Sequence, residues 1–306
     1  MEYAILTNQL SKRYGAKFAV DHVDMHVPAG CIYGFVGENG SGKTTIMRLL
    51  MGLARPTAGE YELFGVNGKT SGIYAVRNRI SAIVEAPSLV PTMTALDNLK
   101  FACIYYGVKK TDEEIKEVLK QVGLDDTGKK LSKNFSLGMK QRLGIAVLLL
   151  NNPELLLLDE PMNGLDPQGI ADLRDLIIKL NKKGITILIS SHILSELEKV
   201  ANYWGFINHG KLIQEISAED LMKQCKKSIE IRYSDLSSLE KALNDLGIKE
   251  FENINNESIR ITQENIKPTD LLISLRKKNI EIENIRTSEI DVENYYLSLI
   301  GKGGNN

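Results

Sequence analysis

Between an apolar run and a helix-like one, the chain carries Gly37-Glu38-Asn39-Gly40-Ser41-Gly42-Lys43-Thr44, a match to G-x-x-x-x-G-K-[ST]. Ile32-Tyr33-Gly34-Phe35-Val36 ahead of it reads as a buried strand, and Ile46 to Met51 behind it opens a helix. Strand, glycine loop and helix start, in that order, imply an α/β sheet with a concave anion site at a helix N-terminus. Glycines let successive backbone N–H groups point inward without Cβ clashes. Gly37, Glu38, Asn39, Gly40, Ser41, Gly42, Lys43, Thr44 and Thr45 are therefore candidate phosphate contacts. Lys43 would reach the β- and γ-phosphates, and the Thr44 hydroxyl would ligate Mg2+. The pattern implies a bound nucleoside triphosphate.

Hydrolysing a γ-phosphate also needs a metal-side carboxylate and a group that positions water. Leu155-Leu156-Leu157-Leu158-Asp159-Glu160 offers both at the C-terminal end of a strand. Asp159 would hold Mg2+, directly or through water, and Glu160 would act as general base. An acidic pair that merely caps a core strand is the plainer alternative; the loop upstream favours the chemistry.

A chain of 306 residues, 43% of them apolar, can build a large α/β unit and a smaller one. Its 38 basic and 39 acidic residues leave a net charge of −1, so no nucleic acid partner is expected. Cys31, Cys103 and Cys225 are odd in number and far apart, which suggests reduced thiols rather than a disulfide frame or zinc site. No apolar stretch approaches the roughly 20 residues a spanning helix needs, and no signal pattern opens the chain. Work at a membrane would require docking on another subunit.

Strands are expected at Tyr3 to Leu10, Ala19 to Val27, Ile32 to Val36, Gly59 to Leu63 and Ile80 to Val84, with a helix from about Thr44 to Leu53. Helical spacing marks an insert over about 91–150, and buried strands apolar on both faces resume at Leu155 to Leu158 and Ile185 to Ser190. These form a main domain over 1–215. The tail, 216–306, reads β-α-β-β-α-β, the ferredoxin-like order, then a last helix over Val292 to Ile300 and a frayed glycine–asparagine end.

Pro161-Met162-Asn163-Gly164-Leu165-Asp166-Pro167 follows the acidic pair at once, and Ser190-Ser191-His192 ends the next strand. With these motifs in order, residues 1–215 resemble an ATP-binding cassette (ABC) ATPase. The resemblance implies a P-loop core of parallel sheet with an antiparallel β subdomain and the helical insert. It implies that Asp166 contacts the other protomer, that His192 contacts the γ-phosphate, and that Tyr14, in Lys12-Arg13-Tyr14-Gly15, stacks on adenine. A plain surface tyrosine at a turn is the rival reading of Tyr14. ATP rather than GTP rests on the likeness alone.

Two segments depart from the family. Its usual Leu-Ser-Gly-Gly-Gln stands here as Phe135-Ser136-Leu137-Gly138-Met139. Ser136 and Gly138 keep a hydroxyl and an N–H at a helix N-terminus, which in the family grip the γ-phosphate from the partner protomer. Where most members carry Gln, this chain has Glu85 in Ile83-Val84-Glu85-Ala86-Pro87. A carboxylate can replace the Gln oxygen on Mg2+, yet it adds negative charge beside a triphosphate. This Glu, with Ile32-Tyr33-Gly34-Phe35 and Glu62-Leu63-Phe64-Gly65, resembles ATPases that protect bacteria from lantibiotics or bacitracin.

That likeness implies a homodimer of ATPase subunits beneath separate membrane-spanning permease subunits, cytoplasmic and peripheral at the inner face of the membrane. The insert would dock the permease, and the cargo would be a peptide antibiotic. The alternative is a non-transport ABC ATPase acting on ribosomes or DNA. Such proteins usually carry paired cassettes, long coiled coils or basic extensions, none of which is written here.

Overall fold

Strand β1 (Tyr3–Tyr14) buries Ala4, Ile5 and Leu10 and pairs with three other strands of the first sheet. There follow β2 (Lys17–Val23), β3 (His26–Pro28), β4 (Ile32–Val36), helix α1 (Lys43–Leu50), β5 (Ala58–Leu63), β6 (Val66–Asn67), α2 (Ile73–Arg77) and β7 (Ile80–Ile83). The stretch Ala19 to Val27, expected as one strand, breaks at Asp24-Met25. There the Asp24 carboxylate accepts the Gln9 amide, while the Met25 N–H donates to the Thr7 hydroxyl at 2.8 Å. Those side-chain bonds outcompete a continuous ladder. The antiparallel sheet runs β2-β1-β5-β6, with β3 also on β1.

The insert holds α3 (Ala95–Tyr106), α4 (Asp112–Gln121), a 3-10 turn at Ser132–Asn134, and α5 (Leu137–Leu149). Thr94 caps α3, and Thr111 with Glu114 makes a reciprocal capping box on α4. Then come β8 (Leu155–Asp159), α6 (Pro167–Lys182), β9 (Thr186–Ser191), α7 (Leu194–Leu197), β10 (Tyr203–Asn208), β11 (Lys211–Ser217) and α8 (Ala218–Gln224). The six-stranded sheet runs β11-β10-β4-β9-β8-β7 and is parallel except for β11. Alternation divides its side chains: Phe35, Leu155, Leu157 and Leu188 share a core with α1 and the antiparallel sheet, while Leu156, Leu158, Ile187 and Ile189 are buried on the opposite face. Because β4, β9 and β8 are adjacent and parallel, their C-terminal ends open at one edge, the usual place for ligands in such sheets.

The computed structural model describes residues 2–225, 227–233, 236–255, 257–263, 266–278, 280–289 and 292–302. Backbone contacts divide the chain into two compact units, Met1–Ala218 and Glu219–Asn306. The second contains β12 (Lys227–Tyr233), α9 (Leu236–Asp245), β13 (Phe251–Asn255), β14 (Ser258–Ile261), α10 (Pro268–Lys277), β15 (Ile282–Glu289) and α11 (Val292–Lys302). Its sheet order is β13-β14-β12-β15, every pair antiparallel. That is the split-βαβ arrangement of a ferredoxin-like fold. Ile229, Ile231, Leu239, Leu243, Ile259, Leu271 and Leu275 form its core. The opposite face is ionic, with Glu230 between Arg260 and Arg286 of its neighbouring strands. The frayed end expected from Gly301 onward begins later, because α11 continues through Gly301 to Lys302; residues 303–306 lie outside the described residues.

Candidate active site

The loop after β4 closes on itself before α1 begins. Lys43 is buried, and its Nζ donates to the backbone carbonyls of Gly37 at 2.6 Å and Glu38 at 3.1 Å. Gly42, the residue before α1, has φ of 115°, and a Cβ there would fall 2.5 Å from the Ala19 carbonyl oxygen. Only glycine fits both constraints. A cleft at the loop is lined by Ala19, Asn39, Gly40, Gly42, Lys43, Thr44, Thr45 and Glu160.

Asp159 and Glu160 meet this loop from the end of β8. The Thr44 hydroxyl donates to Asp159 Oδ2 at 2.7 Å, joining the first turn of α1 to the acidic pair. Asp159's other oxygen, Oδ1, accepts the Ser190 hydroxyl at 2.7 Å. The Glu160 backbone N–H in turn donates to Ser190 Oγ at 2.9 Å. Glu160 Oε1 lies 3.3 Å from Lys43 Nζ. Its Oε2 faces His192, whose Nδ1 is 2.8 Å away and whose backbone N–H donates at 3.3 Å. An ionised carboxylate only accepts, so His192 Nδ1 carries the proton of that contact. Glu160 has φ of 46°, a left-handed conformation that a non-glycine residue keeps only when its surroundings hold it. The arrangement can bind phosphate at the loop, hold a hard cation between Thr44 and Asp159, and offer Glu160 as a base.

The other sequence-derived candidates lie in different places. Ser136 caps α5 by accepting the Met139 N–H at 3.2 Å, and its own O–H remains available as a donor. Asp166 caps α6 by accepting the Gly169 N–H at 3.0 Å. The two helix starts touch, since a Cβ on Gly138 would sit 3.3 Å from the Gly169 Cα. Ser136, Gly138 and Asp166 thus gather around the N-termini of α5 and α6. Tyr14 ends β1 opposite Lys17, 52% exposed, with the Lys12 ammonium 5.0 Å from its ring centre.

Glu85, with φ of 75°, is turned toward α1. Its carboxylate pairs with Arg48, which follows Thr44 by one helical turn, rather than joining Thr44 and Asp159. Sequence reasoning missed both Arg48 and Ser190. The signal for Ser190 was a hydroxyl at the end of an otherwise apolar buried strand; Arg48 resembles any surface arginine of an amphipathic helix.

The ABC transporter family pattern matches residues 20–163. The chain is 43% identical to the bacitracin transport ATP-binding protein BcrA of Bacillus licheniformis, over 99% of each chain. It is 45% identical to the lantibiotic transport ATP-binding protein SrtF of Streptococcus pyogenes, covering 67% of this chain and 87% of that one. Among solved structures, it is similar to a dimeric ATP-binding cassette in a post-hydrolysis state bound to ADP and Pi. That likeness has a TM-score of 0.61 and 24% identity, over 70% of this chain and 98% of that one. Near-complete coverage at such identity settles the relationship: the chain belongs to the ABC transporter family, as an ATP-binding subunit that hydrolyses ATP.

Proposed function

We propose that this chain powers export of a peptide antibiotic, of the bacitracin type first and the lantibiotic type second, through separate membrane-spanning subunits. The extent of identity carries this reading. The bacitracin relative matches through the accessory unit as well as the nucleotide unit, whereas the lantibiotic relative covers 67% of this chain. Among the described residues no helix is long and apolar enough to cross a membrane, so the path for cargo has to come from partners. The chain would sit against them at the cytoplasmic face, with the helical insert as docking surface.

In the mechanism, the loop amides and Lys43 hold the β- and γ-phosphates of ATP. Glu160, braced by His192, accepts the proton of the attacking water as the bridging oxygen leaves with ADP. Tyr14 stacks on the adenine. A second copy contributes the Ser136 hydroxyl, the amides around Gly138 and the Asp166 segment, so triphosphate bridges the copies and its cleavage releases them.

Thr44 and Asp159 would hold Mg2+. Their fit is one of donor chemistry: a hydroxyl and a carboxylate, both hard oxygens, already converge at 2.7 Å beside the phosphate loop. Among the described residues no cluster of three His, Cys, Asp or Glu groups is poised for a metal. Mg2+ needs none, because one or two protein oxygens, phosphates and water complete its shell. When bound between Thr44 and Asp159, such an ion would supply neutralisation of the negative charge on the triphosphate.

The test is to express the chain with its natural membrane partners in sensitive cells and challenge them with bacitracin and, separately, a lantibiotic. Protection against bacitracin that Lys43→Ala abolishes is expected. No protection against either class, or protection that survives Lys43→Ala, contradicts the proposal.

A further inference from the structure

Ser190 is fully buried near the C-terminal end of β9, a strand flanked by the strand that feeds the phosphate loop and the strand that carries the acidic pair. Parallel register sets it beside Phe35 on one side and Asp159 on the other. Serine there ends the apolar run Ile187 to Ile189, and a buried hydroxyl without partners is costly. This one is partnered both as donor and as acceptor. It donates to Asp159 Oδ1 at 2.7 Å and accepts the Glu160 N–H at 2.9 Å.

Both bonds have consequences for the site. The first fixes the rotation of the Asp159 carboxylate, so that Oδ2 is the oxygen presented to Thr44. The second ties down the peptide of Glu160 where φ is 46°, a backbone that would otherwise relax toward the ordinary right-handed or extended regions. One hydroxyl therefore sets the direction of the candidate metal carboxylate and the aim of the candidate base.

We propose that Ser190 is a positioning residue for ATP hydrolysis, orienting Asp159 toward Mg2+ and holding Glu160 in its reactive backbone conformation. This rests on the roles given above to Asp159 and Glu160. Outer partners of a metal ligand typically carry about 10–100-fold in metal affinity or activity. Ser190 differs from an ordinary buried hydroxyl such as Ser81, which donates to the Leu148 carbonyl at 3.2 Å and touches neither carboxylate.

The experiment compares Ser190→Ala, Ser190→Cys and Ser190→Thr with Ser81→Ala as a control for losing a buried hydroxyl. One readout is kcat and KM for ATP. The other uses binding of a fluorescent ATP analogue, measured in EDTA and in Mg2+ on a Glu160→Gln background. Ser190→Ala and Ser190→Cys should lower kcat by about tenfold or more, and KM should rise in step with the weaker Mg2+-dependent binding. They should also cut the Mg2+-dependent gain in affinity by about tenfold while leaving binding in EDTA unchanged. Ser190→Thr keeps the hydroxyl and should retain both properties, and Ser81→Ala should alter neither. Cysteine nearly preserves volume, so it decides the matter if alanine fails to fold. Wild-type kcat and Mg2+ dependence in Ser190→Cys, or losses in Ser81→Ala matching those at Ser190, would overturn the assignment. If Glu160→Gln itself turned over ATP normally, the underlying base role would fail instead, a result separable from either.

Discussion

Two glycines of the phosphate loop should respond very differently to the same added methyl. Gly40 has φ of 82° and nothing within 4 Å of a Cβ, so Gly40→Ala bears only the cost of a left-handed alanine, about 1–2 kcal/mol. Gly42 has φ of 115°, for which the strain is about 1–3 kcal/mol. Its Cβ would also fall 2.5 Å from the Ala19 carbonyl oxygen, and relieving that overlap adds about 1–3 kcal/mol. The combined cost of Gly42→Ala is therefore about 2–6 kcal/mol, shared between folding stability and the loop's fit to phosphate. At about 1.4 kcal/mol per tenfold, an affinity loss of 30-fold marks the mild end if the fold absorbs none of it. Gly40→Ala should lose about 30-fold at most. Urea unfolding without nucleotide and ATP titration of each variant measure the two shares. If the summed losses of Gly42→Ala do not exceed those of Gly40→Ala, the steric reasoning about the loop is wrong.

Glu85 and Arg48 are 67% and 41% exposed, so a double-mutant cycle across their pair should give a coupling under about 1 kcal/mol that shrinks with added salt. Glu85→Gln should then leave ATP binding largely intact while changing antibiotic protection in cells; identical protection would mark the substitution as drift. In the accessory unit, burial pushes the Glu230 carboxyl up, but hydrogen bonds from Arg260 at 3.0 Å and Arg286 at 2.7 Å outweigh it and hold it below its ordinary value of 4.5. A lowered folded value means the unfolded chain binds more protons in acid. The stabilisation is thus present above 4.5 and lost as pH falls through the folded value. Glu230→Gln should flatten that acid dependence in urea unfolding followed through the accessory unit, and an unchanged profile would refute the ionic account of its outer face.

How much of this was legible depends on what each residue has to satisfy. Ile32 to Val36 and Leu155 to Leu158 are apolar on both faces because helices or a second sheet cover each side, and such runs announce themselves. The accessory unit was readable for the converse reason: Ile229 and Ile231 alternate with charged residues because one sheet face is ionic. Strands β10 and β11 were not anticipated, although Trp204 and Phe206 are buried at the parallel sheet's edge; Gly205 interrupts the apolar run of β10, and β11 is only half-buried, so neither gives a clean pattern. Strand β15 runs from Ile282 to Glu289 with apolar side chains only at Ile282 and Ile285, since ladder bonds to β12 need no particular side chain. In the site, the loop and acidic pair were visible because their spacing is local. The Arg48–Glu85 pair and the Ser190 bridge join residues distant in sequence, and only strand order and register bring them together.

The central claim is that triphosphate joins two copies of this chain and its cleavage parts them. Energy transfer between dyes on the two copies of the Glu160→Gln variant, assembled with its membrane partners and titrated with ATP and Mg2+, tests it most directly. The nucleotide units should associate only with triphosphate, remain associated because turnover is blocked, and separate when ADP replaces ATP. Units that stay apart at saturating ATP, or associate equally with ADP, would contradict it.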